Sequence, residues 1–159
     1  MILGGSKKEV IKNIKEAADT GRFNDKVETG DPELSTAQRK RLLGKYVKQR
    51  NELPYHYRNG MARRIVDIVT FGVNIRTKVV GAEKIKNIKT GAIITSNHFN
   101  PVDTTIVRYG IKKVRKYRMF IISQDTNFAM KGLVGFLMRY ADEIPISKDK
   151  EYMNRHFYR

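Results

Sequence analysis

Cysteine is absent from the 159 residues. A disulfide framework, a thiolate nucleophile and a thiolate zinc site are thereby excluded, and the absence fits a reducing compartment. Histidine is nearly as scarce: His56, His98 and His156 show no paired ligand spacing, which argues against a metal centre. Long apolar runs are missing too. A bilayer-spanning helix needs about 20 mostly apolar residues, and the charge-free stretches 68–75 and 132–138 are far shorter. The opening Met-Ile-Leu-Gly-Gly-Ser lacks a basic stretch followed by a long apolar one, so no secretory signal is expected. Any encounter with a membrane is expected to be peripheral, at its cytoplasmic face. There is no internal repeat and no low-complexity tract.

Acidic residues are also few, 16 against 32 basic ones, which leaves a net charge of +16 and a pI near 10.1. A field of that size gathers anions: nucleic acid, anionic lipid, coenzyme A phosphates or an acidic carrier protein. Solvated lysine on exposed faces would account for much of the same excess, so charge alone names no partner. Hydrophobic residues at 40% and charged residues at 30% are a globular composition, in a chain long enough for one domain with a packed core.

Along the chain, residues 6–19 predict a peripheral amphipathic helix. Ser6 caps it, Glu9 completes a capping box, and Val10, Ile11 and Ile14 share a face. A glycine- and proline-bearing loop over 21–33 leads to a second basic helix, capped by Ser35 and running to about residue 50. Pro54 breaks the helical periodicity. The division expected there is a basic helical extension, 1–58, followed by the N-terminal part of a catalytic domain, 59–159. Residues 61–74 predict a helix with a broad buried face, flanked by Arg63 and Arg64, whose stems suit either core packing or lipid headgroups. Strands are expected at 73–81, 91–96, 117–123 and 143–146, with helices at 101–109 and 128–140. Alternating strands and helices predict an α/β fold, a layered sheet flanked by helices.

The apolar stretch Gly91-Ala-Ile-Ile-Thr-Ser96 runs directly into Asn97 and His98, and Pro101 suits the first turn of a helix. Ligands of open α/β folds bind at such strand ends. Spacing alone leaves two readings of His98 and Asp103. In one, Asn100 is the N-cap, Pro101 the first helical residue, and Asp103 a favourable carboxylate at the positive helix end. In the other, the loop folds back to bring the Asp103 carboxylate to the His98 imidazole. That contact holds the ring in one tautomer and leaves its other nitrogen free to take a proton from a hydroxyl. A substrate alcohol could then attack a thioester carbonyl, with the aspartate stabilising the imidazolium.

The string Asn97-His98-Phe99-Asn100-Pro101-Val102-Asp103 resembles the Asn-His-x4-Asp block of the lysophosphatidate and glycerol-3-phosphate acyltransferase family. Upstream, Val79-Val80-Gly81-Ala82-Glu83-Lys84-Ile85 is similar to that family's Val-x-Gly-x-Glu-Asn-(Leu/Ile) turn. Downstream, residues 119–124, 132–135 and Glu143-Ile144-Pro145-Ile146-Ser147-Lys148 follow its order of strand, helix and Ile-Pro-Ile strand. The resemblance covers residues 61–150 and implies a glycerolipid acyltransferase-like sheet. It implies that His98 is the general base, Asp103 its orienter, and Asn97 and Lys148 contacts to the acceptor. A fatty acyl group would pass from acyl-CoA or an acyl carrier protein to a lysophospholipid hydroxyl, with no resident cofactor.

Three departures bear on the acceptor. Ser147 and Lys148 stand where the family has Asp-Arg, and lysine lacks the planar fork that grips phosphate bidentately. Gln124 replaces a lysine, leaving Lys148 or Lys131 to hold an anion. The family's Phe-Pro-Glu-Gly block would fall beyond Arg159, so the resemblance implies a C-terminally truncated chain. Such a chain would expose a sheet edge and apolar surface and have weak or no activity alone. Two other functions fit the composition: nucleic-acid binding, suggested by tyrosines among basic residues near Tyr46, Tyr55 and Tyr57, and noncatalytic binding of lipid or a carrier protein. No specific nucleic acid is expected.

Overall fold

A local signal opens the second helix, while Ser6, the cap expected for the first, lies outside the described residues. The computed structural model describes residues 7–23, 25, 27, 32–97, 103–114 and 117–158. Helix α1, Lys7–Asp19, is peripheral: Ile11 and Ile14 are exposed and Ala17 is buried. The Asn13 amide donates to the Val27 carbonyl at 3.0 Å, tying α1 to the loop that follows. Helix α2, Thr36–Gln49, opens with the capping box expected at Ser35. The Ser35 hydroxyl accepts from the Gln38 N–H at 3.3 Å, and the Gln38 side chain accepts from the Ser35 N–H at 2.9 Å, which satisfies two otherwise orphaned donors.

Helix α3, Leu53–Asn74, begins earlier than residue 61 because Pro54 lies in its first turn, where the missing N–H costs nothing. Proline here starts a helix instead of breaking one, and α3 runs without interruption past position 58. Its inward stripe also differs from the expectation. Asn59, Ala62, Thr70 and Asn74 are buried, whereas Ile68, Val69 and Phe71 are exposed. The buried amides are satisfied. Asn59 donates to the Tyr140 carbonyl at 2.6 Å and to Asp142 at 2.8 Å. Asn74 donates to the Thr70 carbonyl at 2.9 Å and to the Thr105 hydroxyl at 3.0 Å.

The strands expected at 73–81 and 91–96 do not form. α3 continues to Asn74, and residues 91–97 run exposed, outside any sheet. A helix closes its hydrogen bonds locally, but a strand needs a neighbouring edge, and neither segment has one among the described residues. The intervening turn is present: Gly81, at φ 80°, starts the 3₁₀ turn Ala82–Ile85, a left-handed conformation that favours glycine. Helix α4, Asp103–Val114, then packs on α3.

Two parallel strands make the sheet: β1, Ile121–Gln124, and β2, Glu143–Ile146, in register from Ile121 opposite Glu143 to Gln124 opposite Ile146. Between them lie the 3₁₀ turn Asp125–Ala129 and helix α5, Gly132–Tyr140, the crossover that parallel strands require. The single helix expected at 128–140 is thus broken at Met130 and Lys131. There the Met130 carbonyl approaches Gly135 so closely that a Cβ would collide with it. The short helical turns Lys150–Tyr152 and Met153–Phe157 follow β2.

The core is small and divided. Leu43 and Tyr46 of α2 pack with Phe128, Tyr152 and Met153 in one cluster, and Ala62 packs with Tyr140 and Ala141 in another. Among the described residues the architecture is mixed, with helices around a two-stranded parallel sheet.

Candidate active site

Asp103 is the first residue of α4 and is half-buried. A carboxylate there meets the positive end of the helix, which favours its charged form. Two residues on, the Thr105 hydroxyl takes its hydrogen bond from buried Asn74, which locks the start of α4 to the end of α3. One turn further, the buried Arg108 guanidinium reaches the Ala141 carbonyl at 3.5 Å. Lys112 forms an ion pair with Asp67 of α3. The helix that carries Asp103 is therefore held at three levels.

His98 and residues 99–102 lie outside the described residues, so the approach of His98 to Asp103 is not part of the described geometry. Asn97 is exposed at the end of the unpaired 91–97 segment. Lys148 is exposed just beyond β2, next to the edge where both parallel strands end. Lys131 is exposed ahead of α5. The exposed His56 and His156 are surface residues, as their sequence settings suggest.

Ser147, which departs from the family pattern, has a structural task. Its hydroxyl bonds Asp125 and accepts from the Asp149 N–H at 3.1 Å. The Asp125 carboxylate also takes the Arg39 guanidinium at 2.7 Å. Arg39 and Asp125 are both largely shielded from water, so this is a desolvated pair joining α2 to the far edge of the sheet. No local sequence signal links Arg39 to Asp125, 86 residues apart.

Asp142 carries a second network that sequence alone leaves unpartnered. It holds φ at 64°, a left-handed conformation that aspartate tolerates better than most residues. Arg118 reaches it at 2.7 Å, Arg63 at 3.2 Å and Asn59 at 2.8 Å. Burial pushes the Asp142 carboxyl up, but hydrogen bonds from Arg118 and Asn59 and the fields of Arg118 and Arg63 outweigh it. The group is held below the usual carboxylate range.

The next residue behaves oppositely. Burial raises Glu143 to about 7 against the opposing effects of the neighbouring Ser123 hydroxyl and the Arg108 charge, and its Oε2 has no hydrogen-bond partner among the described residues. Among the described residues, no group of three or more histidines, cysteines or acids could hold a metal ion.

Residues 76–157 match the family model Acyltransferase. The matched stretch takes in the Gly81 turn, Asn97, His98, Asp103, both strands and Lys148. This chain belongs to the Acyltransferase family, and acyl transfer is the reaction class that goes with it. Neither a curated protein nor a solved structure matches the chain.

Proposed function

We propose that the protein transfers a fatty acyl group from an acyl-CoA or acyl-carrier-protein thioester to the hydroxyl of a lysophospholipid such as 1-acylglycerol-3-phosphate. The observation that carries this reading is the position of the Asn-His-x4-Asp string inside the acyltransferase match, with Asp103 at the positive end of a firmly anchored α4. In the proposed step, His98 takes the proton from the acceptor hydroxyl as its oxygen attacks the thioester carbonyl, and the thiolate of the donor leaves. Asp103 fixes the imidazole tautomer and stabilises the imidazolium. Asn97 and Lys148 contact the acceptor, the lysine as a point charge for its phosphate. The glycerolipid acyltransferase-like layered sheet belongs to this reading as the family's expected fold, of which β1 and β2 are the described strands.

We also propose that the protein works at the cytoplasmic face of an anionic membrane as a peripheral protein. No helix among the described residues is long and apolar enough to cross a bilayer. Leu53, Tyr57, Met61, Ile68, Phe71 and Ile75 are all exposed, and their spacing of three, four and seven places them on one stripe of α3.

His98→Ala should lower acyl transfer by about 10²–10⁴-fold, the usual contribution of a positioned general base, with the circular dichroism spectrum unchanged. Asp103→Asn should lower kcat while leaving the KM for the acceptor near its starting value. Transfer of radiolabelled acyl groups to lysophosphatidate measures both. Undiminished transfer by His98→Ala would overturn the reading.

A further inference from the structure

A cavity of about 700 Å³ lies between α2, the first turns of α3 and α5. Its size falls within the roughly 300–1,000 Å³ of small-ligand sites. Aromatic rings make up much of its wall. Tyr46 meets Phe128 edge-on at 5.4 Å, and Tyr140 packs against Phe136 at 5.2 Å and against Tyr55 at 5.3 Å. Burial raises the hydroxyls of Tyr46 and Tyr55 to about 12, so neither ring brings negative charge near neutral pH.

Charge of one sign borders this apolar wall. The cations Arg41, Lys45 and Arg58 line the groove and are exposed, and among the described residues no carboxylate lines it. Arg58 lies over the Tyr140 ring at 5.7 Å and donates to its hydroxyl at 3.2 Å, which holds one of these cations in place. Arg139 also lines the groove, but it donates to the Phe128 and Met130 carbonyls at 2.9 Å each. It thereby braces the wall.

Sixteen residues of α3 separate Arg58 from Asn74, the residue that contacts α4. At 1.5 Å per residue that is roughly 24 Å, so the groove lies apart from the start of α4, where Asp103 stands. An apolar floor whose charged neighbours among the described residues are cations, with Gln38 and Gln49 as neutral polar groups beside them, complements one chemistry: a hydrocarbon chain that ends in an anion. We propose that this groove binds a single-chain amphiphile with an anionic head, the chain lying on Tyr46, Phe128, Phe136 and Tyr140 and the head held by Arg41, Lys45 and Arg58. The inference stands independently of the acyl-transfer reading. A ligand seated there bridges α2 to α5, so it stabilises the folded chain.

Isothermal titration of the whole chain with dodecyl phosphate, below its micelle-forming concentration, should report a single site and a raised Tm. Inorganic phosphate and 1-dodecanol each offer half of the complementary chemistry and should bind at least about tenfold more weakly, a difference within easy reach of titration. Laurate compared with dodecyl phosphate tells whether the site prefers a carboxylate or a phosphate, and failure of both overturns the proposal. Lys45→Glu alone, at an exposed position, and Lys45→Glu with Arg58→Glu should each weaken binding about tenfold or more. Lys12→Glu with Lys15→Glu on α1 makes the same charge change elsewhere and should leave affinity within about twofold, as should Ile68→Ser on the exposed stripe of α3. Equal losses in groove and control variants, or none in the groove variants, would refute a built site.

Discussion

Asp142 and Glu143 are neighbours in one buried bend, yet partners decide their charge in opposite senses. Asp142 receives two arginines and an amide, which overcome its burial. Glu143 has an unpartnered oxygen and is raised from 4.5 to about 7. A carboxyl whose folded value is raised binds its proton more tightly in the native than in the unfolded chain. Its contribution to stability is therefore fully present below pH 4.5 and is lost as pH rises through about 7. The full swing is about 3 kcal/mol by the usual conversion of 1.36 kcal/mol per unit. Glu143→Gln keeps the shape and removes the titration, so it should flatten the fall in stability across that window. Urea midpoints measured from pH 4.5 to pH 7.5 read the slope directly; a variant with the same slope as the parent would assign the effect to another group.

At the scale of elements, α2 is fastened to the sheet by a desolvated pair, a shared cluster and the Tyr46 hydroxyl donating to the Glu143 carbonyl at 3.2 Å. Arg39 to Asp125 is the pair, and Leu43 and Tyr46 against Phe128 are the cluster. Asp125→Ala leaves the Arg39 guanidinium and the Ser147 hydroxyl without their acceptor, which for a buried pair costs about 3 kcal/mol. Chemical denaturation should show that loss, whereas a change below about 1 kcal/mol would mean that water replaces the carboxylate freely.

The same elements show what a sequence can and cannot disclose. The Ser35 capping box, the Gly81 turn and the strand Glu143–Ile146 were all legible, the first two because their hydrogen bonds or dihedral angles are set within a few residues. The α3 face was misread, since hydrophobicity pointed to Ile68 and Phe71 while the buried stripe carries Asn59, Thr70 and Asn74. Asn59 and Asn74 are tolerated inside because partners 31 to 83 residues away accept their hydrogen bonds, and sequence spacing carries no trace of such contacts. The strands expected at 73–81 and 91–96 failed for a related reason: a pattern can offer a strand but cannot supply its neighbour. Of the candidate site, the string from Asn97 to Asp103 was legible, and the coarser part of that reading, membership of the Acyltransferase family, is borne out, whereas the anchoring of α4 through Asn74, Arg108 and Lys112 was not legible.

For the whole molecule, charge and exposed apolar surface act together on one proposed partner. Net charge of +16 draws the chain toward an anionic bilayer, where each lysine or arginine near the surface contributes about 1 kcal/mol. That attraction falls as salt shortens the Debye length. The exposed stripe of α3, with Ile68 at 72% and Phe71 at 53% exposure, adds a contribution that salt does not screen, and Arg63 and Arg64 beside it can reach headgroups along their stems. The two terms make separable predictions. Sedimentation with vesicles containing anionic lipid should exceed that with neutral vesicles and should weaken as salt is raised. Ile68→Asp with Phe71→Asp should cut the salt-resistant remainder by about tenfold, because burying one such side chain contributes roughly 1.5–3 kcal/mol. The same variant should leave binding to a single-stranded oligonucleotide nearly unchanged, since that rests on phosphate contacts and its affinity falls linearly on a log–log salt plot. If both ligands lose affinity equally, or if vesicle binding vanishes entirely in high salt, the stripe is not a lipid-facing surface and the attraction is charge alone.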